Sequence, residues 1–445
     1  MLSGSGFGKP SPRDFPVIED IRTSGFWVRK IPDSDRVLMG NRDIADFNRE
    51  IRDRQLKDGL DLVLKEGEVA GETIRSAINV KGFPQQPLYH CGQRVQNSFY
   101  DDLLQEMDMN KIQGVNQVQF AYSIRGTSIR SFPTELFITD DPADNEFDLF
   151  QETALGPAEP IIILHQSKSG KWCFVQASCC SGWVPAVDLA VAAAFETWFA
   201  YLQADPFLVV SGSRLRLGYN SYSPELSELE FMMGARIPLA VSDEIPRVID
   251  NQSPDGCYVV KIPVRGAGGR LLFKLALVPC VRDVSIGYLP YTTKAVIKQA
   301  FKMQGERYGW GGLFHSWDCS SFVRDSYRCF GFQLPRNSGE QMLIPGQKYS
   351  LDGADRQERQ RLLEQLPAGA ILYFPGHVML YLGKHRGEYY VIHAIAYYGE
   401  KENRDANGNY IPVPLNAVVV SPLSLRRRNS GEELLMAIMS ALQIE

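Results

Sequence analysis

The chain has 445 residues, 44% of them hydrophobic and 22% charged, enough for roughly two to four domains of ordinary size. A net charge of -5 gives no reason to expect a nucleic-acid partner, and no apolar run approaches the roughly 20 residues that span a bilayer. Eight dispersed cysteines without a Cys-x-x-Cys pair argue against both a disulfide framework and a structural zinc site.

Met1 to Gly6 lacks the basic and apolar runs of a signal peptide and reads as a flexible start. An exported chain with its signal removed and a cytosolic chain would both look like this. Residues 1 to about 30 are rich in Pro and Gly and are expected to be extended. From Asp43, a possible N-cap, the pattern turns helical, with Ile44, Phe47 and Ile51 on one face. Further periodicity runs through Leu60 to Leu64 and, after a possible Asn97 cap, from Phe99 to Met107. Residues 1–115 therefore read as a mostly helical N-terminal region. His90 and Cys91 are neighbours within it, and a structural or surface role is expected for both.

From Gln117 the signal is β. Short apolar runs, such as Val118 to Tyr122, Leu136 to Thr139, Pro160 to His165 and Trp172 to Val175, are separated by turns every 8 to 12 residues or so, which suggests a small barrel. The Trp172…Gly182-Trp183-Val184 ending resembles that of bacterial SH3 domains, and Arg130 to Thr134 fits their early loop. Cys179-Cys180 falls in a turn, with no role expected. Phe195, Trp198, Phe199 and Leu202 then share a helical face, so residues 116–200 read as a first SH3-like barrel plus a linking helix. Residues 201–292 read as a second barrel of the same kind. They contain Gly234 to Leu239, an Asp255-Gly256 turn, a strand from Tyr258 to Arg265 and a closing Ile286 to Thr292. Each barrel admits two roles, positioning the chain or walling an active site.

Residues 293–445 read as an α+β domain. A helix carrying Val296, Ile297, Ala300 and Phe301 leads to Tyr308-Gly309-Trp310-Gly311-Gly312 and then Asp318-Cys319-Ser320-Ser321-Phe322-Val323. Phe322, Val323, Tyr327 and Phe330 recur at helical spacing, with Gly331 as C-cap and Asp318 or Trp317 at the start. Cys319 then lies in the first turn, where free N–H groups and the helix dipole favour a thiolate. By itself it also fits a small buried apolar cysteine. Beyond it come a helix from Asp355 to Leu366 and strands at Ala370 to Phe374, His377 to Leu382, Tyr389 to Ala394 and Ala417 to Val420. Arg426-Arg427-Arg428 reads as a solvated turn, and Glu432 to Leu442 as a closing amphipathic helix.

A cysteine nucleophile needs a base, and the base needs a group to orient it. Of six histidines, His377 and His393 can be related by geometry. If Gly383 to Gly387 closes as a five-residue turn with Leu382 facing Glu388, the two lie opposite each other, about 4.5–5.5 Å apart at Cβ. A one-residue slip would put them on opposite faces. His385 falls at the turn tip. His315 is a competing base in a loop with no evident orienting partner.

These blocks, Tyr308-Gly309-Trp310-Gly311-Gly312…Asp318-Cys319-Ser320, Gly376-His377-Val378…Tyr381-Leu382-Gly383 and Ile392-His393-Ala394, resemble the three signature segments of the NlpC/P60 cysteine peptidases. With the two SH3-like modules and the helical start, the layout resembles the subgroup that cleaves short murein peptides. The resemblance implies a papain-like catalytic domain and hydrolysis of the γ-D-glutamyl–diamino acid bond of peptidoglycan stem peptides bearing a free N-terminal L-Ala. By position it implies Cys319 as nucleophile, His377 as general base and acid, and His393 as orienting residue. Tyr308, Asp318, Ser320 and Ser338 would line the substrate subsites, with Asp318 the candidate for the substrate ammonium. No metal or organic cofactor is implied. Ser321 and Met379 stand where the family often has Gly and a smaller residue. The expected location is the cell envelope or periplasm, with a cytoplasmic recycling enzyme as the alternative. The competing readings are a non-catalytic wall-binding protein and a papain-like amidase or acyltransferase.

Overall fold

The computed structural model describes residues 19–55, 67–80, 82–405, 408–428 and 430–445. Met1 to Gly6 and the Leu60 to Leu64 periodicity lie outside the described residues. Within the expected extended start, Thr23 caps a short helix, Ser24–Val28, its hydroxyl accepting from the Phe26 N–H at 3.3 Å. Trp27 drives this departure. Its indole is fully buried and donates to the Ile21 carbonyl at 2.8 Å, so the segment folds around it. Ile44, Phe47 and Ile51 face inward from the helix Asn41–Gln55 and join the core of the C-terminal domain. Asp43 sits inside that helix rather than capping it, and accepts from the Gly40 N–H at 3.0 Å. Asn97 likewise begins its helix, Asn97–Met107, as the first helical residue.

Among the described residues, seven strands form one antiparallel sheet in the spatial order Leu189–Val191, Gln119–Ser123, Pro160–Gln166, Trp172–Ala177, Ser181–Pro185, Thr127–Arg130, Gln151–Leu155. Trp183 pairs with Phe174 on one side and Arg130 on the other, and its ring is fully buried. The helix Phe195–Gln203 lays Phe195 and Trp198 against Phe120, with the Trp198 indole donating to the Ala121 carbonyl at 2.9 Å. The following β stretch divides into a three-stranded sheet (Arg236–Pro238, Phe207–Val210, Val284–Ile286) and two hairpins. The longer hairpin pairs Cys257–Arg265 with Leu271–Pro279.

The C-terminal domain is built on a six-stranded antiparallel sheet in the order Gln347–Ser350, Ser440–Gln443, Ile371–Phe374, His377–His385, Glu388–Tyr398, Val413–Pro422. The helices Thr293–Lys302 and Cys319–Arg328 bury Val296, Ala300, Phe322 and Val323 with Val378, Leu380 and Ile392 of the sheet. The helix Arg356–Gln365 buries Leu363 in a separate cluster with Met379, Tyr381 and Val391. Period 2 explains this: successive strand residues serve opposite faces. The chain is thus multidomain, with an α+β C-terminal domain behind β modules and a mostly helical start.

Two departures concern this sheet. The segment read as a closing helix gives only one turn, Leu434–Ala437, before the strand Ser440–Gln443. That strand lies between two others, with Leu442 opposite Ile371, so sheet pairing outweighs its helical pattern. The hairpin between His377 and His393 also closes differently. Its turn is two residues long, Arg386 and Gly387, both with positive φ, which suits a tight hairpin connection. A bulge between Tyr381 and Gly383 then absorbs one residue, and Leu380 pairs with Ile392. Continued one step, that register sets Met379, not His377, opposite His393. The two histidines are diagonal neighbours on one face.

Candidate active site

The helix Cys319–Arg328 starts where it does because Asp318 caps it. The Asp318 carboxylate accepts from the Ser321 N–H at 2.8 Å, and Ser321 Oγ accepts from the Asp318 N–H at 3.0 Å, a reciprocal capping box. Ser321 is therefore the residue that closes the box. The same carboxylate accepts from the Gly311 N–H at 3.1 Å, the Ser320 hydroxyl at 3.2 Å and two nitrogens of Arg336 at 3.1 and 2.5 Å. Arg336 is buried and also donates to Ser320 Oγ at 2.9 Å and to Thr153 Oγ1 at 2.7 Å, across the boundary with the first barrel. Burial works against the Asp318 charge, but Arg336 and the N–H donors outweigh it and hold the carboxyl at about 2. Asp318 and Ser320, expected to line the substrate subsites, here spend their polar atoms on this internal network. The physical reason is Arg336, whose buried guanidinium requires those acceptors.

Cys319 abuts the start of the strand His377–His385. Its sulfur lies 4.0 Å from the Gly376 carbonyl oxygen, and the N–H groups of Val378 and Ser320 favour its anion. His377 Nε2 lies 2.8 Å from His393 Nδ1, and His393 Nε2 lies 3.0 Å from Ser421 Oγ. All three side chains are buried, on three adjacent strands. The row admits two proton orders, and a base role for His377 selects one. For His377 Nδ1 to be a free base, Nε2 must carry the hydrogen and donate to His393 Nδ1. His393 then holds its own hydrogen on Nε2 and donates to Ser421.

Burial sets the charge states. It pushes the Cys319 thiol up to about 12, with Asp318 adding to the rise. It lowers His377 to about 4, with Arg427 adding and Asp318 opposing, and it lowers His393 well below the ordinary histidine value, with His377 adding. The resting pair is therefore thiol and neutral imidazole. The helix N-terminus favours the thiolate, as expected, but desolvation by burial outweighs it. Burial also raises the Tyr308 hydroxyl, with Cys319 and Asp318 next in effect.

The first barrel forms one wall. Gly311 and Gly312 have φ of 58° and 79°, and a Cβ on them would meet Gln151 Cγ at 2.6 Å and Ala154 Cβ at 2.7 Å. Glycine is thus required both for conformation and for the close approach of the strand Gln151–Leu155. Gln151 donates to the Gly311 carbonyl at 3.0 Å, and the Trp310 indole donates to the Asp148 carbonyl at 3.1 Å. Phe147 packs its ring 5.7 Å from Trp310 and 6.1 Å from both Tyr308 and Tyr397. Beside it, Glu146 accepts from Arg307 at 2.5 Å, Tyr397 at 2.9 Å and Asn416 at 3.0 Å.

Tyr308, Asp318, Cys319 and Ser320 thus gather with the two histidines. Ser338, half-buried, opens a one-turn helix whose Gln341 donates to the Ser320 carbonyl at 3.0 Å. His315 does not join them. Its side chain is exposed and its carbonyl accepts from Arg214 at 2.6 Å. His90 lies 3.0 Å from the Phe137 carbonyl, remote from the site. Sequence reasoning missed Ser421, Arg336, the barrel residues and Arg427. Ser421 has the same strand phase as His393's diagonal neighbours, and extending the last strand by one residue would have found it. Cys179, in the turn for which no role was expected, meets a buried cation. It accepts from Arg324 at 3.6 Å, and the Cys180 contact, then Arg324, lower its thiol against burial.

Residues 305–418 match the model described as NlpC/P60 family, and residues 138–185 match that of an SH3 domain of SH3b1 type. Among solved structures, the chain is similar to an NlpC/P60 endopeptidase from Photobacterium damselae subsp. piscicida, at 16% identity and TM-score 0.73, covering 94% of this chain and 96% of that one. It is also similar to an NlpC/P60 family protein from Bacillus cereus, at 19% identity and TM-score 0.44, covering 66% and 82%. No curated protein sequence matches the chain. The chain thus joins an SH3 domain of SH3b1 type, residues 138–185, to an NlpC/P60 domain, residues 305–418, which is a cysteine-peptidase domain.

Proposed function

We propose that the protein is a thiol endopeptidase that cuts the γ-D-glutamyl–diamino acid bond of murein stem peptides bearing a free N-terminal L-Ala. The observation that carries this reading is the 2.8 Å contact between His377 Nε2 and His393 Nδ1, which leaves His377 Nδ1 for the thiol beside the start of its strand. Cys319 is the nucleophile. As its sulfur attacks the γ-carbonyl carbon, His377 Nδ1 takes the thiol proton, and His393 accepts from the resulting imidazolium. Negative charge builds on the carbonyl oxygen, and the Cys319 N–H, free of any intrahelical partner as the first helical residue, is its natural donor. His377 then gives its proton to the leaving amine. It next takes a proton from the water that hydrolyses the thioester and returns it to the sulfur. Tyr308 and Ser338 line the substrate groove, whereas Asp318 and Ser320 act from behind it by fixing the helix start.

The test is product analysis by mass spectrometry on L-Ala-γ-D-Glu-diaminopimelate peptides, with and without an acetylated N-terminus. Free-amine peptide should be cut into L-Ala-D-Glu and diaminopimelate, acetylated peptide should resist, and Cys319→Ala should yield no product at an unchanged melting temperature. Retained activity in that variant would overturn the assignment. Cleavage at another bond would favour the amidase reading.

A further inference from the structure

The Arg426-Arg427-Arg428 run is not simply a solvated turn. Arg426 is committed to Glu433 at 3.2 Å and to the Gly431 carbonyl at 2.6 Å. Its two neighbours reach toward the catalytic groups. The Arg427 guanidinium lies 5.0 Å from the Phe374 ring centroid, and Phe374 lies 5.1 Å from the His377 ring at an interplanar angle of 37°. The Arg428 guanidinium lies 5.5 Å from the Tyr397 ring, which packs through Phe147 toward Tyr308. Arg427's ion pair is a half-exposed contact with Glu432 at 3.3 Å, and Arg428 makes no ion pair among the described residues.

A cation beside the base is costly unless an anion offsets it. Arg427 acts against protonation of His377, yet the mechanism requires the imidazolium. A bound anion would offset it, so the charge makes sense if the substrate brings one. His377 must face the leaving amine to protonate it, so a guanidinium stacked against its aromatic neighbour borders the leaving-group side. We propose that Arg427, assisted by Arg428, forms a subsite for the side-chain carboxylate of the leaving diamino acid, and so selects peptides containing meso-diaminopimelate over those containing lysine or amidated diaminopimelate. The inference rests on the endopeptidase reading above. Substrate carboxylate and Arg427 together neutralise the field at His377, so the match assists turnover as well as binding.

The experiment measures kcat and KM of the full chain on L-Ala-γ-D-Glu peptides ending in meso-diaminopimelate, its side-chain carboxamide or L-lysine. Wild type should favour the carboxylate over the carboxamide by about tenfold or more in kcat/KM. Arg427→Ala should erase that preference, its loss falling on the carboxylate peptide far more than on the carboxamide or lysine peptides, and move the acid limb of kcat/KM to higher pH, because removing a cation raises His377. Arg427→Lys should keep part of the preference, and Arg428→Ala should lose less than Arg427→Ala. Equal cleavage of carboxylate and carboxamide by wild type, or an equal loss on all three peptides in a folded Arg427→Ala, would overturn the subsite alone. Wild type that cleaves none of the three would overturn the endopeptidase reading and the subsite with it.

Discussion

Ser421 acts on chemistry it does not touch. In the proton order that frees His377 Nδ1, Ser421 accepts from His393 Nε2 and leaves His393 Nδ1 as the acceptor that His377 needs. Ser421→Ala leaves a buried N–H without its partner and both histidine tautomers open. It should lower kcat about tenfold at little change in KM, and Ser421→Thr should restore most of it. A loss confined to KM would contradict this role. The histidines also set a pH response. His377 sits at about 4 when folded, against about 6.5 in an unfolded chain, so the unfolded state binds its proton first. Its contribution to stability, on the order of 3 kcal/mol, is present above about pH 6.5 and is lost as pH falls toward 4. His377→Gln should flatten the fall in melting temperature between pH 7 and pH 4.5, measured by calorimetry. At this scale, the convergence of Cys319, His377 and His393 was legible because residue type, order and strand phase all constrain where they meet. Arg336 was not, since a buried guanidinium looks like any surface arginine until its acceptors are brought together from distant segments.

Element by element, legibility followed how local the cause was. The Cys319 helix could be read because its cap and apolar face lie within a dozen or so residues. The last strand could not, because its fate depends on partners at 347–350 and 371–374, far away in the chain. The histidine hairpin lies between these cases. Its two strands were evident, but its turn and bulge were not, and a shared face survived only because the bulge compensates the shorter turn. Gly383, at φ 121°, holds that bulge. A side chain there is strained, so Gly383→Val should cost about 1–3 kcal/mol in urea unfolding. It should also lower kcat more than a substitution of equal cost elsewhere, because losing the bulge turns His393 to the other face. Unchanged kcat at the expected stability loss would separate the bulge from the alignment of the rings.

Across the whole molecule, the glycines of the Tyr308 block serve assembly rather than chemistry. The strand Gln151–Leu155 can reach the domain that carries Cys319 only because Gly311 and Gly312 leave room. Gly312→Val should push that strand away and lower kcat/KM for short peptides by about tenfold or more. Thermal unfolding and small-angle scattering should report a looser pairing of the modules. Normal kinetics with a displaced barrel would show that the wall is dispensable. The order of domains was readable from composition and turn spacing, but the seam was not, because it is made by short side chains and missing ones.

Arg336 holds Thr153 with one nitrogen and the Asp318 cap with two others. The helix start at Cys319 is consequently a joint possession of two stretches of polypeptide that a boundary drawn by sequence would divide. Severing them would strip the guanidinium of one partner and open its surroundings to water, weakening its grip on the turn that presents the sulfur. Selection on the hydrolytic centre therefore reaches into the neighbouring module, and the two should diverge together rather than be exchanged singly.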